Sequence, residues 1–312
     1  MKHKTALLFA GQGAQKVGMG KDLAVQYPVA AEIFRQADEI LGFPLAALAF
    51  EGPEAELTKT AVCQPALYVH GLAALAVLRE RVPQFDFQAA AGLSLGEFTA
   101  HCAADSFSFA DGLRLVKRRS EAMQKSCDET EGGMAAVIGC EEGRARDLAA
   151  AADVDVANLN SPGQVVLSGE SSKIALAVSL AREYGARKAI ELTVAGAFHS
   201  RLMESAYLSL REALLETPIT APRVPVICNV DAIPAGTPEA IRQTLADQVT
   251  GSVRWADSIE YLMDHQGITR FVEMGPGGVL AGLVGRIRKG TPVISVSDCE
   301  TLEAAVEVLA SE

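Results

Sequence analysis

The chain has 312 residues, 49% hydrophobic and 21% charged, a globular composition with enough apolar material for a large core. A formal charge of −11, one Trp and 5% aromatic residues argue against a nucleic-acid surface, since phosphates would be repelled and bases would find little to stack on. No apolar run reaches the roughly 20 residues that cross a bilayer, and the N-terminus lacks a secretory pattern, so the expectation is a cytoplasmic protein without membrane contact.

Thr5 to Phe9 reads as a short buried strand that runs into Gly11-Gln12-Gly13-Ala14-Gln15, where glycines permit close backbone approach. Helical periodicity covers Ala30 to Leu41 and Gln64 to Arg81. A buried strand from Phe87 to Leu93 then meets a helix from Leu95 to Ala104, with Gly92-Leu93-Ser94-Leu95-Gly96 at the junction. This Gly-x-Ser-x-Gly pattern between strand and helix is the form of a nucleophile elbow, a tight turn that pushes a serine hydroxyl out of the fold. Ser108 and Asp111 cap a further helix that extends to Ser126.

After the polar break at Asp128 to Gly133 the rhythm changes. Strands at Met134 to Ile138, Val154 to Ala157, Val165 to Ser168 and Ala186 to Leu192 alternate with helices at Glu141 to Ala152 and Ser171 to Tyr184. That βαββαβ order is the split βαβ pattern of a ferredoxin-like unit. The expected organisation is an α/β-hydrolase-like large domain with a parallel sheet, residues 1–129 and 197–312, and an inserted ferredoxin-like subdomain, residues 130–196. The large domain resumes with a helix from Arg201 to Leu215, strands at Val224 to Cys228 and Arg270 to Met274, the turn Gly275-Pro276-Gly277-Gly278, a strand at Val293 to Val296, and a closing helix from Thr301.

The six cysteines, Cys63, Cys102, Cys127, Cys140, Cys228 and Cys299, form no CxxC pair, which gives no support to a zinc site or redox dithiol and fits free thiols in a reducing compartment. A serine nucleophile needs a base, and histidine is the usual one. Of the five histidines, His3 is on the terminal tail, His265 in a polar stretch, His70 in an apolar helix, and His101 too far along its helix to reach back to Ser94. His199, in Gly196-Ala197-Phe198-His199-Ser200, remains, either as the base or as a cap of the following helix. Acyl transfer also needs N–H donors for the oxyanion, and the residue after the nucleophile, Leu95, and the loop around Gln12 are the candidates. Lys117-Arg118-Arg119 is either a solvated basic face or places one arginine inward, where its fork would hold a carboxylate.

Several short motifs occur together and in order: Phe9-Ala10-Gly11-Gln12-Gly13-Ala14-Gln15, Gln64-Pro65-Ala66-Leu67, Gly92 to Glu97, Arg119, Gly196-Ala197-Phe198-His199, Gln248 and Glu273-Met274-Gly275-Pro276-Gly277. In this the chain resembles the malonyl-CoA:acyl-carrier-protein transacylases, from residue 5 to about residue 297. The resemblance implies a ping-pong transfer in fatty-acid biosynthesis, in which Ser94 takes malonyl from malonyl-CoA and passes it to acyl carrier protein. It implies His199 as base, oriented by the backbone carbonyl of Gln248, an oxyanion hole from the N–H groups of Gln12 and Leu95, and Arg119 on the malonyl carboxylate. It implies no cofactor and no metal, malonyl-CoA entering as substrate.

Phe198 matches the malonyl-selective form of the family, either by filling the space an α-methyl would need or simply by packing. Leu93 departs from the family, where histidine often precedes the nucleophile, and this leaves fine acyl selectivity open. A free-standing acyltransferase of a polyketide pathway would differ only in its carrier. A serine hydrolase or thioesterase would show an acid as third triad member, and a non-catalytic binding module would tolerate loss of Ser94 or His199.

Overall fold

The computed structural model describes residues 3–311. Two sheets organise it. Strands β1 (Thr5–Phe9), β2 (Ala89–Gly92), β7 (Val226–Ile227), β8 (Arg270–Met274) and β9 (Val293–Val296) form a parallel sheet in the order β7-β2-β1-β8-β9. All five residues of β1 and β8, and all four of β2, are buried, as expected of parallel strands covered by helices on both faces.

The alternation along β1 divides the core. Leu7 and Phe9 face the cluster packed around helix Thr60–Arg81, while Ala6 and Leu8 join Trp255 and Ile259 on the opposite face. Helix Thr60–Arg81 is long and apolar enough to cross a membrane, against the expectation that no such run exists. Inside the protein, however, 83% of its apolar window is buried, so its hydrophobicity belongs to the core.

Strands β3 (Gly132–Ile138), β4 (Asp155–Ser161), β5 (Gln164–Glu170) and β6 (Lys188–Leu192) form an antiparallel sheet in the order β4-β5-β3-β6. With helices Glu142–Ala152 and Ser171–Leu180 as the two crossovers, this is the ferredoxin-like βαββαβ arrangement. Ala135, Val137, Val165 and Leu167 pack under those helices with Leu148 and Ile174. Met134 and Val166, on the other face, turn toward the large sheet and join its core.

Several elements are shorter than the sequence suggests. The strand expected from Phe87 to Leu93 is Ala89–Gly92, and that expected from Val224 to Cys228 is only Val226–Ile227. The helix from Ser171 ends at Leu180, where the bonding tightens to turns, with Glu183 N–H on the Leu180 carbonyl and Gly185 N–H on the Arg182 carbonyl; Gly185 at φ 84° closes them as Ala186 N–H bonds back to the Ala181 carbonyl. The first turn after His199 is a 3₁₀ turn, Arg201–Met203, before the α-helix Glu204–Glu216.

Three glycine-containing loops gather where parallel strands end. The Gly11–Gln15 loop leaves β1, the Ser94 turn leaves β2, and Gly275 to Gly278 leaves β8, all at carboxyl ends of adjacent strands, where ligands bind in such sheets. Glu273 fastens the last of these loops: its carboxylate accepts the N–H groups of Leu280 (2.9 Å) and Ala281 (3.0 Å) and the Ser295 hydroxyl (3.0 Å) in a buried position. Glu273→Ala strands these donors, and a loss of about 2–4 kcal/mol is expected in urea unfolding, with Glu273→Gln intermediate.

Candidate active site

Ser94 sits at φ 55°, ψ −107°, a backbone conformation that is costly for a residue with a Cβ. The glycines on either side make it attainable. A Cβ on Gly92 would lie 1.9 Å from the Gly96 carbonyl carbon, and one on Gly96 would lie 2.1 Å from the Phe9 oxygen. Helix Leu95–Ala103 therefore starts in direct contact with β1 and β2, and the serine hydroxyl has nowhere to point but out of the turn.

That hydroxyl meets His199, with Oγ 2.8 Å from Nε2. The other ring nitrogen, Nδ1, lies 2.7 Å from the backbone oxygen of Gln248. A carbonyl can only accept, so Nδ1 carries the ring proton and Nε2 is left to accept from Ser94. His199 is itself at φ 55°, in a segment where Ala197 is fully buried. It does not cap the next helix; the Ser200 hydroxyl does that, accepting from Leu202 N–H.

Arg119 is the inward member of the basic run, 1% exposed, while Arg118 faces solvent and Lys117 bonds the Leu41 carbonyl. Its Nη2 donates to Ser94 Oγ (2.9 Å) and Gln248 Oε1 (2.8 Å), and its Nη1 to Gln64 Oε1 (2.6 Å). Among the described residues its Nε has no hydrogen-bond partner. Every oxygen that meets this guanidinium belongs to an amide or a hydroxyl, so no carboxylate touches its charge. Burial lowers Arg119 to about 10, still charged at neutral pH.

Burial, and secondarily the Arg119 charge, push His199 down to about 4. The imidazole is thus neutral and able to accept a proton at physiological pH. The other four histidines are engaged elsewhere: His101 Nδ1 pairs with Ser106 Oγ at 3.0 Å, His70 Nε2 with the Ser297 carbonyl at 3.0 Å and His3 Nδ1 with Thr269 Oγ1 at 3.1 Å, while the His265 ring packs 4.9 Å from that of Tyr261.

The backbone N–H groups of Gln12 and Leu95 make no hydrogen bond among the described residues. The Gln12 side chain is fixed between Thr60 Oγ1 and Gln64 Nε2, both at 3.3 Å. Ser94, His199, Phe198 and Gln12 line one cavity of about 530 Å³, which is also lined by Asn158, Asn160, Gln164 and Leu192 of the small sheet and by Val194, Val279 and Leu283. Phe198, 7% exposed, lines this space next to His199 in the chain, and Leu93 also borders it. Its size and its mix of apolar wall and spaced amides fit a long, flexible ligand with a polar tip.

Two buried residues at the site escaped the sequence reading. Asn229 Oδ1 accepts the Ser94 N–H at 2.7 Å and its Nδ2 donates to the Gly92 carbonyl at 2.8 Å; nothing in Cys228-Asn229-Val230 announces it. Glu97, quoted as part of the elbow motif, is fully buried beneath the turn.

A strained serine on a parallel-sheet elbow, a carbonyl-oriented histidine and a ferredoxin-like insertion walling the cleft define a serine acyltransferase rather than a general α/β hydrolase. The acyl transferase domain family matches residues 6–301, and the chain belongs to it. It is 42% identical to the malonyl CoA-acyl carrier protein transacylase of Bacillus subtilis, over 99% of this chain and 98% of that one. Among solved structures, the acyl-carrier-protein S-malonyltransferase of Bartonella henselae superposes with TM-score 0.93 at 40% identity, covering 98% of this chain and 99% of that one. A malonyl-transacylase in complex with its type II polyketide acyl carrier protein superposes with TM-score 0.92 at 36% identity, covering 98% and 99%.

Because burial dominates the His199 shift and Arg119 adds to it, ¹⁵N NMR of the ring is expected to show neutral imidazole down to about pH 4. Arg119→Gln should raise that midpoint without restoring it to 6.5, since burial persists.

Proposed function

We propose that the protein transfers malonyl from malonyl-CoA to the phosphopantetheine thiol of acyl carrier protein through a malonyl-Ser94 ester, in the cytoplasm and in fatty-acid biosynthesis. The observation that carries the choice of acyl group is Arg119: a buried cation, 2.9 Å from the nucleophile, with only neutral partners. Such a charge is costly to bury, and an acyl group that brings its own carboxylate compensates it.

In the first half-reaction Ser94 Oγ attacks the thioester carbonyl as His199 Nε2 takes the hydroxyl proton. The developing oxyanion is held by the N–H groups of Gln12 and Leu95, which make no hydrogen bond among the described residues. Collapse breaks the carbon–sulfur bond, and coenzyme A leaves with the proton from His199. In the second half-reaction the carrier thiol gives its proton to His199 and attacks the ester, and Ser94 Oγ leaves with that proton. The Gln248 carbonyl, 2.7 Å from Nδ1, keeps the imidazole in the required tautomer and supports its transient charge, as a carboxylate would in a classical triad.

Residues 130–196 act as the subdomain that closes the cleft over residues 1–129 and 197–312. Phe198 narrows the acyl end of the cavity against an α-methyl group. The chemistry runs on side chains and backbone donors and asks for no cofactor. Its charge of −11 leaves no role for nucleic acid. The likeness to a polyketide malonyl-transacylase in complex with its carrier supports a second reading in which the same transfer serves a polyketide assembly line. Transfer rates to the host's own carrier proteins separate the two.

Steady-state kinetics should give parallel lines when malonyl-CoA and carrier are varied together. Ser94→Ala should abolish turnover, and His199→Ala should slow it by about 10²–10⁴-fold. Arg119→Ala should cost about 10–100-fold in kcat/KM for malonyl-CoA while sparing acetyl-CoA, because only the former loses a charge-assisted hydrogen bond. An equal loss with both donors would contradict the carboxylate clamp.

A further inference from the structure

We propose that Glu97 is a positioning residue for this transfer: through one carboxyl oxygen it ties the nucleophile, the base and the carboxylate clamp to a single acceptor. Glu97 Oε2 accepts the side-chain Nε2 of Gln248 (2.6 Å) and the backbone N–H of Asn229 (3.0 Å). Each of those residues holds part of the site. Asn229 bridges the elbow from Gly92 O to Ser94 N, so it fixes the strained turn from outside.

Gln248 carries the connection onward. Its Nε2 also donates to the Ser94 carbonyl (2.9 Å), its Oε1 accepts Arg119 Nη2 (2.8 Å), and its backbone oxygen accepts His199 Nδ1 (2.7 Å). Moving Glu97 Oε2 therefore moves the partners of all three proposed functional side chains together. A misplacement of about 1 Å in such a frame costs about 10²-fold in rate. This inference rests on the roles proposed above for Ser94, His199 and Arg119.

Glu97 does this as a neutral acid. It is fully buried, and its second oxygen, Oε1, has no hydrogen-bond partner among the described residues, an arrangement far costlier for a carboxylate than for a carboxylic acid. The groups that face it are Arg119 across Gln248, Asp231 and Cys228 from the segment after β7, and His199 on the far side of Gln248. Burial is the largest influence and raises Glu97 to about 8, against the lowering effect of Gln248, Asn229 and Arg119. With the proton on Oε1, Oε2 serves as a carbonyl-type acceptor, and the Arg119 charge is left for the substrate carboxylate. A glutamine amide can take that acceptor role.

The test compares Glu97→Gln, Glu97→Leu and Glu97→Asp with the unsubstituted enzyme, reading kcat and KM for malonyl-CoA and acetyl-CoA together with the unfolding midpoint. Glu97→Gln is expected to stay within about threefold of the parent. Glu97→Leu, which removes the acceptor, and Glu97→Asp, which withdraws it, are expected to lose about 30–100-fold in kcat with both acyl donors while KM changes little. Loss with both donors separates this role from that of Arg119, whose removal affects malonyl alone. If Glu97→Leu does not fold, Glu97→Asp against Glu97→Gln carries the comparison. Parent-like kcat in Glu97→Asp, or a Gln variant as slow as Asp, would overturn the proposal. An unsubstituted enzyme that forms no malonyl ester would instead overturn the function on which it rests.

Discussion

The site depends on the absence of side chains at two positions. Gly92 and Gly96 let β2, the following helix and the end of β1 approach so closely that a single Cβ on Gly96 would meet the Phe9 oxygen at 2.1 Å. Only in that contact can Ser94 hold φ 55° and ψ −107° and still have its N–H satisfied, by Asn229. The strain at Ser94 is held by the surrounding contacts, which is the condition under which such conformations persist. Placement of the hydroxyl follows from the turn, and placement of His199 follows from the Gln248 carbonyl rather than from a third acid.

Electrostatics then divides the labour between two buried bases of opposite protonation. Burial lowers both groups, but a guanidinium starts so high that Arg119, at about 10, stays charged, whereas the imidazole of His199, at about 4, gives up its charge. A neutral imidazole beside a fixed cation suits a reaction that must remove a hydroxyl proton and hold an anionic acyl group at the same atom. The antiparallel subdomain supplies the opposite wall, with amides on β4 and at the start of β5, so the cleft lies between the two sheets.

Much of this was legible in the sequence because the informative residues sit at element junctions. Ser94 lies between two glycines where a strand meets a helix, and His199 in a run of small residues that nothing but close packing requires. The small sheet was legible because its strands include short apolar runs set off by glycines, such as Met134 to Ile138 between Gly133 and Gly139 and Val165 to Leu167 between Gly163 and Gly169. The strands of the large sheet were less sharply bounded. Phe87, Leu93 and Val224 are apolar residues that pack beyond the ladder, so hydrophobicity overran the pairing at β2 and β7. Short helices such as Pro238–Asp247 and Trp255–Asp264 were missed although Thr237 caps the first and Pro238 opens it. Asn229 and the role of Glu97 were illegible for a different reason: their partners lie more than 130 residues away, as with Asn229 N–H on Glu97 across a separation of 132. No local pattern encodes such a contact.

The central claim is that Ser94 carries the acyl group between two thiols. Intact-protein mass, recorded within the first turnover after mixing with malonyl-CoA and again after adding phosphopantetheinylated carrier protein, tests it most directly. The account predicts one malonyl adduct that maps to Ser94, is absent in Ser94→Ala, and passes to the carrier on addition. An adduct that reaches water as fast without the carrier as with it, or one that persists in Ser94→Ala, would contradict it.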